Sequence, residues 1–224
     1  MSNVLLAQEQ VDAVGFAGHS QGGWIGPLAG SRWPQTRFVI TSAGPAVSPS
    51  RETQWSVLRA LREASYGEQA EHEARALFDL WHSGIREGNW SAFRTGYEEA
   101  RQEEWFAVSG IAWLEQPPGQ AVIKHYRLYM DHDPIPPLMN LNAPLLALLS
   151  PDDESIDAVE TAEILKQLAG QGRNIAVRLY PGYDHGMRKL GDGGLPARWP
   201  SLPENYYVDQ ARFIKESIGA FEEG

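Results

Sequence analysis

A serine between two glycines, with a strand-like run before it and helical spacing after it, is the most reactive pattern in this sequence. Residues 18–22 read Gly-His-Ser-Gln-Gly, and the apolar run at residues 11–17 leads directly into them. From Trp24 onward, apolar residues recur at roughly helical spacing. A strand, a sharp turn and a helix would hold the hydroxyl of Ser20 clear of a sheet. We therefore predict that Ser20 is a nucleophile; a glycine-rich turn with an incidental serine is the other interpretation.

The glycines at positions 18 and 22 fit this turn. The chain must reverse within a residue or two, so we expect a side chain at either position to collide with the turn. The following helix directs its N-terminal amides toward the place where an oxyanion would form. The first of them, the amide of Gln21, is the predicted oxyanion-hole donor.

Carboxylates and a histidine follow two later strand-like runs. Residues 144–149 are continuously apolar and are followed by Asp152 and Asp153, while residues 174–180 alternate and are followed by His185. Reacting groups of parallel α/β sheets lie on loops at the carboxyl ends of the strands. A histidine there would take the proton of the serine, and one of the two aspartates would orient the imidazole.

The other histidines are weaker candidates. His19 adjoins the serine, but we expect it to point elsewhere, and we expect Asp184 to be a polar group of its loop. His72 and His82 lie in charge-rich helical segments, which predicts solvated side chains. The Asp-His-Asp run at residues 131–133 lacks partners at metal-ligand spacing, so neither a metal nor another cofactor is expected.

Strand and helix patterns alternate at both ends of the chain, which is typical of an α/β fold with a parallel sheet. A helix with an internal proline is predicted for residues 21–32, a second for residues 157–169, and a last one near the C-terminus. Four strands are predicted, near residues 11–17, 37–41, 144–149 and 174–180.

The middle of the chain has a different character. Between residues 46 and 136, charges become more frequent and apolar residues recur every three or four positions, which predicts a helical insertion. Its aromatic rings would form the core of a small subdomain, or one or two of them would line an acyl or aromatic pocket. The predicted organisation is a core of residues 1–45 and 137–224 with a helical cap of residues 46–136.

Charge and composition restrict the partners. The net charge of the 224 residues is −10 and the pI is near 5.1, which argues against nucleic acid or an anionic membrane surface as a partner. Cysteine is absent, and the N-terminal residues lack the basic region of an export signal. We expect a cytoplasmic protein that acts on a small ester or a peptide-like substrate.

Three motifs together resemble the α/β-hydrolase family, in particular its bacterial acyl-hydrolase and serine-aminopeptidase-like branch. Residues 18–24 are similar to its nucleophile elbow, residues 148–153 to its acid motif and residues 180–186 to its histidine motif. The acid motif selects Asp153 over Asp152, although Ser150 stands where the family commonly has glycine. The resemblance implies an α/β-hydrolase fold and a Ser20, His185 and Asp153 triad that cleaves carboxylic esters through an acyl-enzyme. Aminopeptidase or thioesterase activity is the alternative.

The resemblance covers the C-terminal two-thirds of such a fold. The family's second oxyanion donor comes from an earlier loop, yet only about ten residues precede the nucleophile strand. One edge of that strand would lie open and apolar. We expect either a homo-oligomer formed through this edge or a natural protein that begins before Met1. A catalytically impaired fragment or binding module is the alternative outside the enzyme class.

Overall fold

The computed structural model describes residues 2–114, 117–191 and 201–222. In chain order its elements are α1 (Ser2–Leu6), β1 (Val14–His19), α2 (Gly22–Arg32), β2 (Thr36–Ser42), α3 (Pro49–Glu52), α4 (Trp55–Glu63), α5 (Glu68–Glu87), α6 (Ser91–Ala100), α7 (Glu104–Ser109), a 3₁₀ turn (Ile111–Leu114), α8 (Gln120–Tyr126), α9 (Ile135–Met139), β3 (Leu145–Leu149), α10 (Ala158–Gly170), β4 (Ile175–Leu179) and α11 (Tyr206–Glu222). None of the helices in these ranges has the length and apolar character that a membrane span requires.

The described strands form one parallel sheet in the order β1, β2, β3, β4. All four predicted strands are present, although β1 begins and ends later than expected. All five residues of β3 are buried, because this strand has a neighbour on each side and packing on both faces. That burial explains why its sequence is continuously apolar rather than alternating.

Two hydrophobic clusters cover the two faces of the sheet. One contains Val39 and Leu145 together with residues of α9 and α10, and the other contains Ile40 and Leu146 together with residues of α11. Helix α2 lies very close to β2: a Cβ atom at Gly30 would be 3.0 Å from a methyl group of Val39. The glycine therefore allows this helix, which follows the reactive serine, to pack tightly on the sheet.

Strand β1 lies at one edge of the described sheet, with β2 as its partner there. Its register with β2 is irregular between Val14 and Phe16. Phe16 packs edge-on against Trp33, whose indole N–H donates a hydrogen bond to the side chain of Asn3. The association of chains through this edge stays a prediction.

The chain divides into two compact units, one of residues 1–47 and 133–224 and the other of residues 48–132. The second, which we call the helical unit, has its own apolar core, including Phe78, Trp81 and Trp105. The expectation of a solvated His82 is wrong: this residue is only 2% exposed and lies among the rings of Phe78, Trp81 and Tyr126. The role of a cap stays a prediction.

Candidate active site

Ser20 lies at a sharp turn between β1 and α2. Its φ angle is +54°, a left-handed conformation that is uncommon for residues other than glycine. The strain is sustained by neighbouring hydrogen bonds: the Ser20 N–H donates to the carbonyl of Ser42, and its own carbonyl accepts from the N–H of Gly23. The nucleophile predicted from the sequence therefore occupies the strained turn expected for it.

The glycines of the turn permit two close approaches of the backbone. A Cβ atom at Gly18 would lie 2.7 Å from Cα of Gly22, as expected, but a Cβ atom at Gly22 would meet nothing within 4 Å among the described residues. The expected collision at position 22 is therefore wrong. Gly22 is instead the residue that a side chain at position 18 would collide with. Gly23 was not singled out, yet its Cβ would lie 2.6 Å from Gly44.

The three predicted catalytic side chains meet at the carboxyl ends of β1, β3 and β4. Nε2 of His185 lies 3.0 Å from Oγ of Ser20, and Nδ1 lies 2.9 Å and 3.0 Å from the two carboxylate oxygens of Asp153. In the tautomer that satisfies both contacts, Nδ1–H donates to Asp153 and Nε2 accepts the hydroxyl proton of Ser20. The three groups thus form a continuous hydrogen-bonded line.

Asp153 is held firmly in place. It is 1% exposed, and its Oδ1 also accepts the backbone N–H groups of Ser155 and Ile156. The neighbouring Asp152 has another partner, the N–H of Gly182, which lies 2.6 Å from Oδ2. The geometry thus assigns the imidazole contact to Asp153, the choice that the motif spacing favoured.

Further contacts join the acid loop (residues 150–154) to the histidine loop (residues 180–186). The hydroxyl of Ser150 donates to the carbonyl of Tyr183 over 2.6 Å, and the carboxylate of Glu154 accepts the backbone N–H of His185 over 3.1 Å. Sequence reasoning missed both roles. Serine in place of the usual glycine at position 150 was the one signal that could have indicated the first.

Asp184 is not an orienting acid of His185. It is 2% exposed, and its carboxylate accepts hydrogen bonds from both the backbone and the guanidinium of Arg188. Burial opposes ionisation, but these bonds and the charge of Arg188 outweigh it and lower the pKa of Asp184. The carboxylate therefore stays ionised as part of a loop ion pair, as a polar loop group would.

His19 lies against the triad, contrary to the expectation that it points elsewhere. The centroid of its ring is 5.0 Å from that of His185, with 50° between the planes. The side chain of His19 is exposed, yet its partial desolvation lowers the pKa of His19, and the neighbouring His185 lowers it further. A neutral second imidazole therefore lies beside the one that contacts Ser20.

The Gln21 amide lies directly after Ser20, at the start of α2. The carbonyl of Gln21 accepts the N–H groups of Trp24 and Ile25 at the start of α2. Among the described residues, by contrast, no acceptor is bonded to the Gln21 N–H. This donor thus stays available at the N-terminal end of the helix, next to Ser20.

In the described ranges, no three histidine or acidic side chains are grouped suitably to hold a metal ion. Of residues 131–133, Asp131 is in an ion pair with Arg86 instead.

Three features decide the architecture. The parallel sheet is covered on both faces, a strained serine turn follows its first described strand, and the loops carry Ser20, Asp153 and His185 in that order. This is an α/β-hydrolase fold.

Comparison with known proteins gives remote structural similarities only. No family model matches the sequence, and no curated protein is significantly similar to it. The structure is similar to a membrane phospholipase A described as a bacterial virulence factor, with 21% identity, a TM-score of 0.48, and coverage of 96% of this chain and 61% of that one.

Two further solved structures are similar at lower scores. Acetyl xylan esterase 1 from Thermoanaerobacterium sp. JW/SL YS485 has 14% identity and a TM-score of 0.43, with coverage of 96% of this chain and 50% of that one. The acylaminoacyl peptidase of Pyrococcus horikoshii has 17% identity and a TM-score of 0.38, with coverage of 83% and 22%. This chain thus spans between about a fifth and a half of these two proteins.

Proposed function

We propose that this α/β-hydrolase chain is a serine hydrolase that cleaves carboxylic esters through an acyl-enzyme intermediate. The observation that supports the proposal most is the hydrogen-bonded line from Asp153 through His185 to Oγ of Ser20. A serine hydroxyl is a weak nucleophile until a base removes its proton, and a neutral imidazole 3.0 Å away is such a base. The buried carboxylate on the other ring nitrogen stabilises the imidazolium that results.

The first half of the reaction forms the acyl-enzyme. Oγ of Ser20 attacks the ester carbonyl carbon while its proton passes to Nε2 of His185, and the carbonyl oxygen becomes an oxyanion that faces the Gln21 N–H. The tetrahedral intermediate collapses when the carbon–oxygen bond to the alcohol breaks. His185 gives its proton to the departing alkoxide, so the alcohol leaves neutral and the acyl group stays on Ser20.

The second half repeats these steps with water. His185 takes a proton from the water as its oxygen attacks the acyl carbon, and it then returns the proton to Oγ of Ser20. The carboxylic acid leaves and the free serine is restored. The hydrogen bond to Asp153 keeps the same tautomer of His185 in both halves.

The test is covalent labelling of Ser20. Intact-mass analysis after exposure to a fluorophosphonate is expected to show one adduct per chain, and Ser20→Ala is expected to abolish it. Ser31→Ala is a matched control on α2, because the Ser31 hydroxyl donates to the Leu28 carbonyl of its own helix. This variant is expected to label like the wild type.

Turnover of short-chain nitrophenyl esters, measured in the same samples, tests the substrate class. Ester turnover that depends on Ser20 supports the proposal, whereas faster cleavage of a matched nitroanilide or thioester would assign the triad to a peptidase or thioesterase. Folded protein without an adduct would overturn the proposal and leave a binding module with the α/β-hydrolase fold.

A further inference from the structure

Besides the two groups that bond its nitrogens, the imidazole of His185 has a ring neighbour, His19. We propose that His19 is a positioning residue whose ring restrains His185 between Asp153 and Ser20 and whose neutrality favours protonation of His185 during turnover. The proposal rests on the proposed hydrolase function, because it concerns the base of that reaction. It starts from the ring distance of 5.0 Å.

The backbone fixes His19 at this place. It is the last residue of β1 and pairs with Ser42 of β2, and the next residue, Ser20, donates its N–H to the carbonyl of Ser42. Tyr206 of α11 in turn donates to the hydroxyl of Ser42. Residue 19 is therefore anchored on β2 immediately before the strained serine, and its exposed side chain starts from a fixed backbone position beside the ring of His185.

The contact supplies a restraint that the triad bonds lack. Both nitrogens of His185 bond in the plane of its ring, and the Glu154 carboxylate accepts its backbone N–H. These bonds resist displacement within the plane, but they allow the ring to tilt. A neighbouring ring at 5.0 Å limits that tilt. Since small misplacements of a reacting group are costly, the restraint should appear in kcat.

The charge of His19 matters because His185 becomes cationic in the transition state. The groups that act on His19 are His185 and Asp184 of the histidine loop, Asp153 of the acid loop and the backbone of Ser42. Partial desolvation and His185 lower the pKa of His19, and together they outweigh the opposite effects of the carboxylates and Ser42. Arg188 is paired with Asp184, so its charge is already opposed. A neutral His19 avoids a second cation beside the imidazolium.

Three variants separate restraint from charge. His19→Ala removes the ring and is expected to lower kcat about tenfold with little change in KM. His19→Phe restores a neutral ring and is expected to recover most of that loss. His19→Arg keeps a planar group but adds a permanent cation, which disfavours protonation of His185. Its kcat is expected to fall below that of His19→Phe, and the acid limb of kcat/KM to move to lower pH by about one unit.

The control is His72→Phe, a change at an exposed histidine of α5, which is expected to leave kcat and the acid limb unchanged. A kcat of His19→Ala equal to that of the wild type would overturn the restraint, and coincident acid limbs for His19→Phe and His19→Arg would overturn the role of charge. Wild-type turnover that does not depend on Ser20 would instead overturn the proposed function, and this inference with it. Circular dichroism spectra of all variants establish that they are folded.

Discussion

The loops that carry the triad and the helical unit differ in how completely their buried polar groups are hydrogen-bonded. In the loops, the buried side chains of Ser150, Asp153 and Asp184 all have hydrogen-bond partners. In the described part of the helical unit, four buried ring nitrogens have no hydrogen-bond partner. They belong to Trp55, Trp81, His82 and His132. The first region is thus organised by directional bonds, and the second by the packing of aromatic rings.

This difference indicates how each region should respond to amino-acid substitutions. A fully bonded polar network specifies one geometry, which a site with reacting atoms needs. Packed aromatic rings contribute a large buried area, so they offset the cost of leaving a ring nitrogen without a partner. We therefore expect changes in the triad side chains to act mainly on turnover, and changes in the core of the helical unit to act mainly on stability.

The largest expected effect comes from Asp153→Asn. An amide cannot hold His185 in the required tautomer or stabilise its cation, so kcat should fall about a thousand- to ten-thousandfold, or about 4 to 5 kcal/mol of transition-state stabilisation. Nitrophenyl ester kinetics measure it, and urea unfolding is expected to show a much smaller change. Asp152→Asn is the matched control, because its remaining oxygen can still accept the Gly182 N–H. Equal losses in both variants would contradict the assignment of roles.

The opposite behaviour is expected from Phe78→Ala in the helical unit. Phe78 is fully buried and contacts the rings of His82 and Trp113, so its removal leaves a cavity and should lower the free energy of unfolding by about 3 to 5 kcal/mol. Urea unfolding followed by tryptophan fluorescence measures it, since five of the eight tryptophans lie in residues 48–132. The control Leu128→Ala changes a side chain that is 79% exposed. Similar losses in the two variants would contradict a core organised by packing.

The sequence predicted those features of the fold that depend on neighbours along the chain. The strands followed from short apolar runs, and the turn at Ser20 followed from glycines within two residues of it. Pairings between distant segments could be predicted only where a motif marks every partner, as it does for Ser20, Asp153 and His185. Nothing near Ser150 shows that its hydroxyl meets Tyr183, 33 residues later.

Burial of a polar residue was equally inaccessible. His82 lies in a charge-rich stretch of sequence, so the solvated state was the natural expectation. Its burial depends partly on Tyr126, which stacks on it from another helix. The position of His19 was missed for the same reason, because its neighbour His185 is distant in sequence.

The buried His82 predicts a pH dependence of stability. Burial and the nearby Arg86 lower its pKa from 6.5 to about 4, so the unfolded chain binds a proton more readily than the folded one. Above pH 6.5 this histidine is neutral in both states and does not change the free energy of unfolding. As the pH falls toward 4, the unfolded chain gains the proton first, and the free energy of unfolding falls by about 3 kcal/mol in total. Unfolding free energies from pH 7.5 to 4 measure it. His82→Phe should lack this component, whereas His72→Phe should retain it; parallel curves for wild type and His82→Phe would contradict the prediction.

The smallest effect is expected from Ser150→Ala. This variant tests whether the hydrogen bonds between the acid and histidine loops support turnover as well as stability. Ser150→Ala leaves the carbonyl of Tyr183 and the N–H of Asp152 without their hydroxyl partner, at a cost of about 1 to 2 kcal/mol in unfolding free energy. Ser155→Ala is the matched control, because the structure assigns the hydroxyl of Ser155 no hydrogen bond among the described residues, and its backbone N–H still reaches Asp153.

If Ser150 only stabilises the fold, the kcat of Ser150→Ala should match that of the control. Because Tyr183 precedes His185 by two residues, we expect kcat to fall roughly threefold with KM unchanged, as small displacements of a reacting group lower the rate. Equal kcat values in the two variants would show that the hydrogen bonds of Ser150 do not contribute to turnover, which would then depend on the bonds within the triad alone.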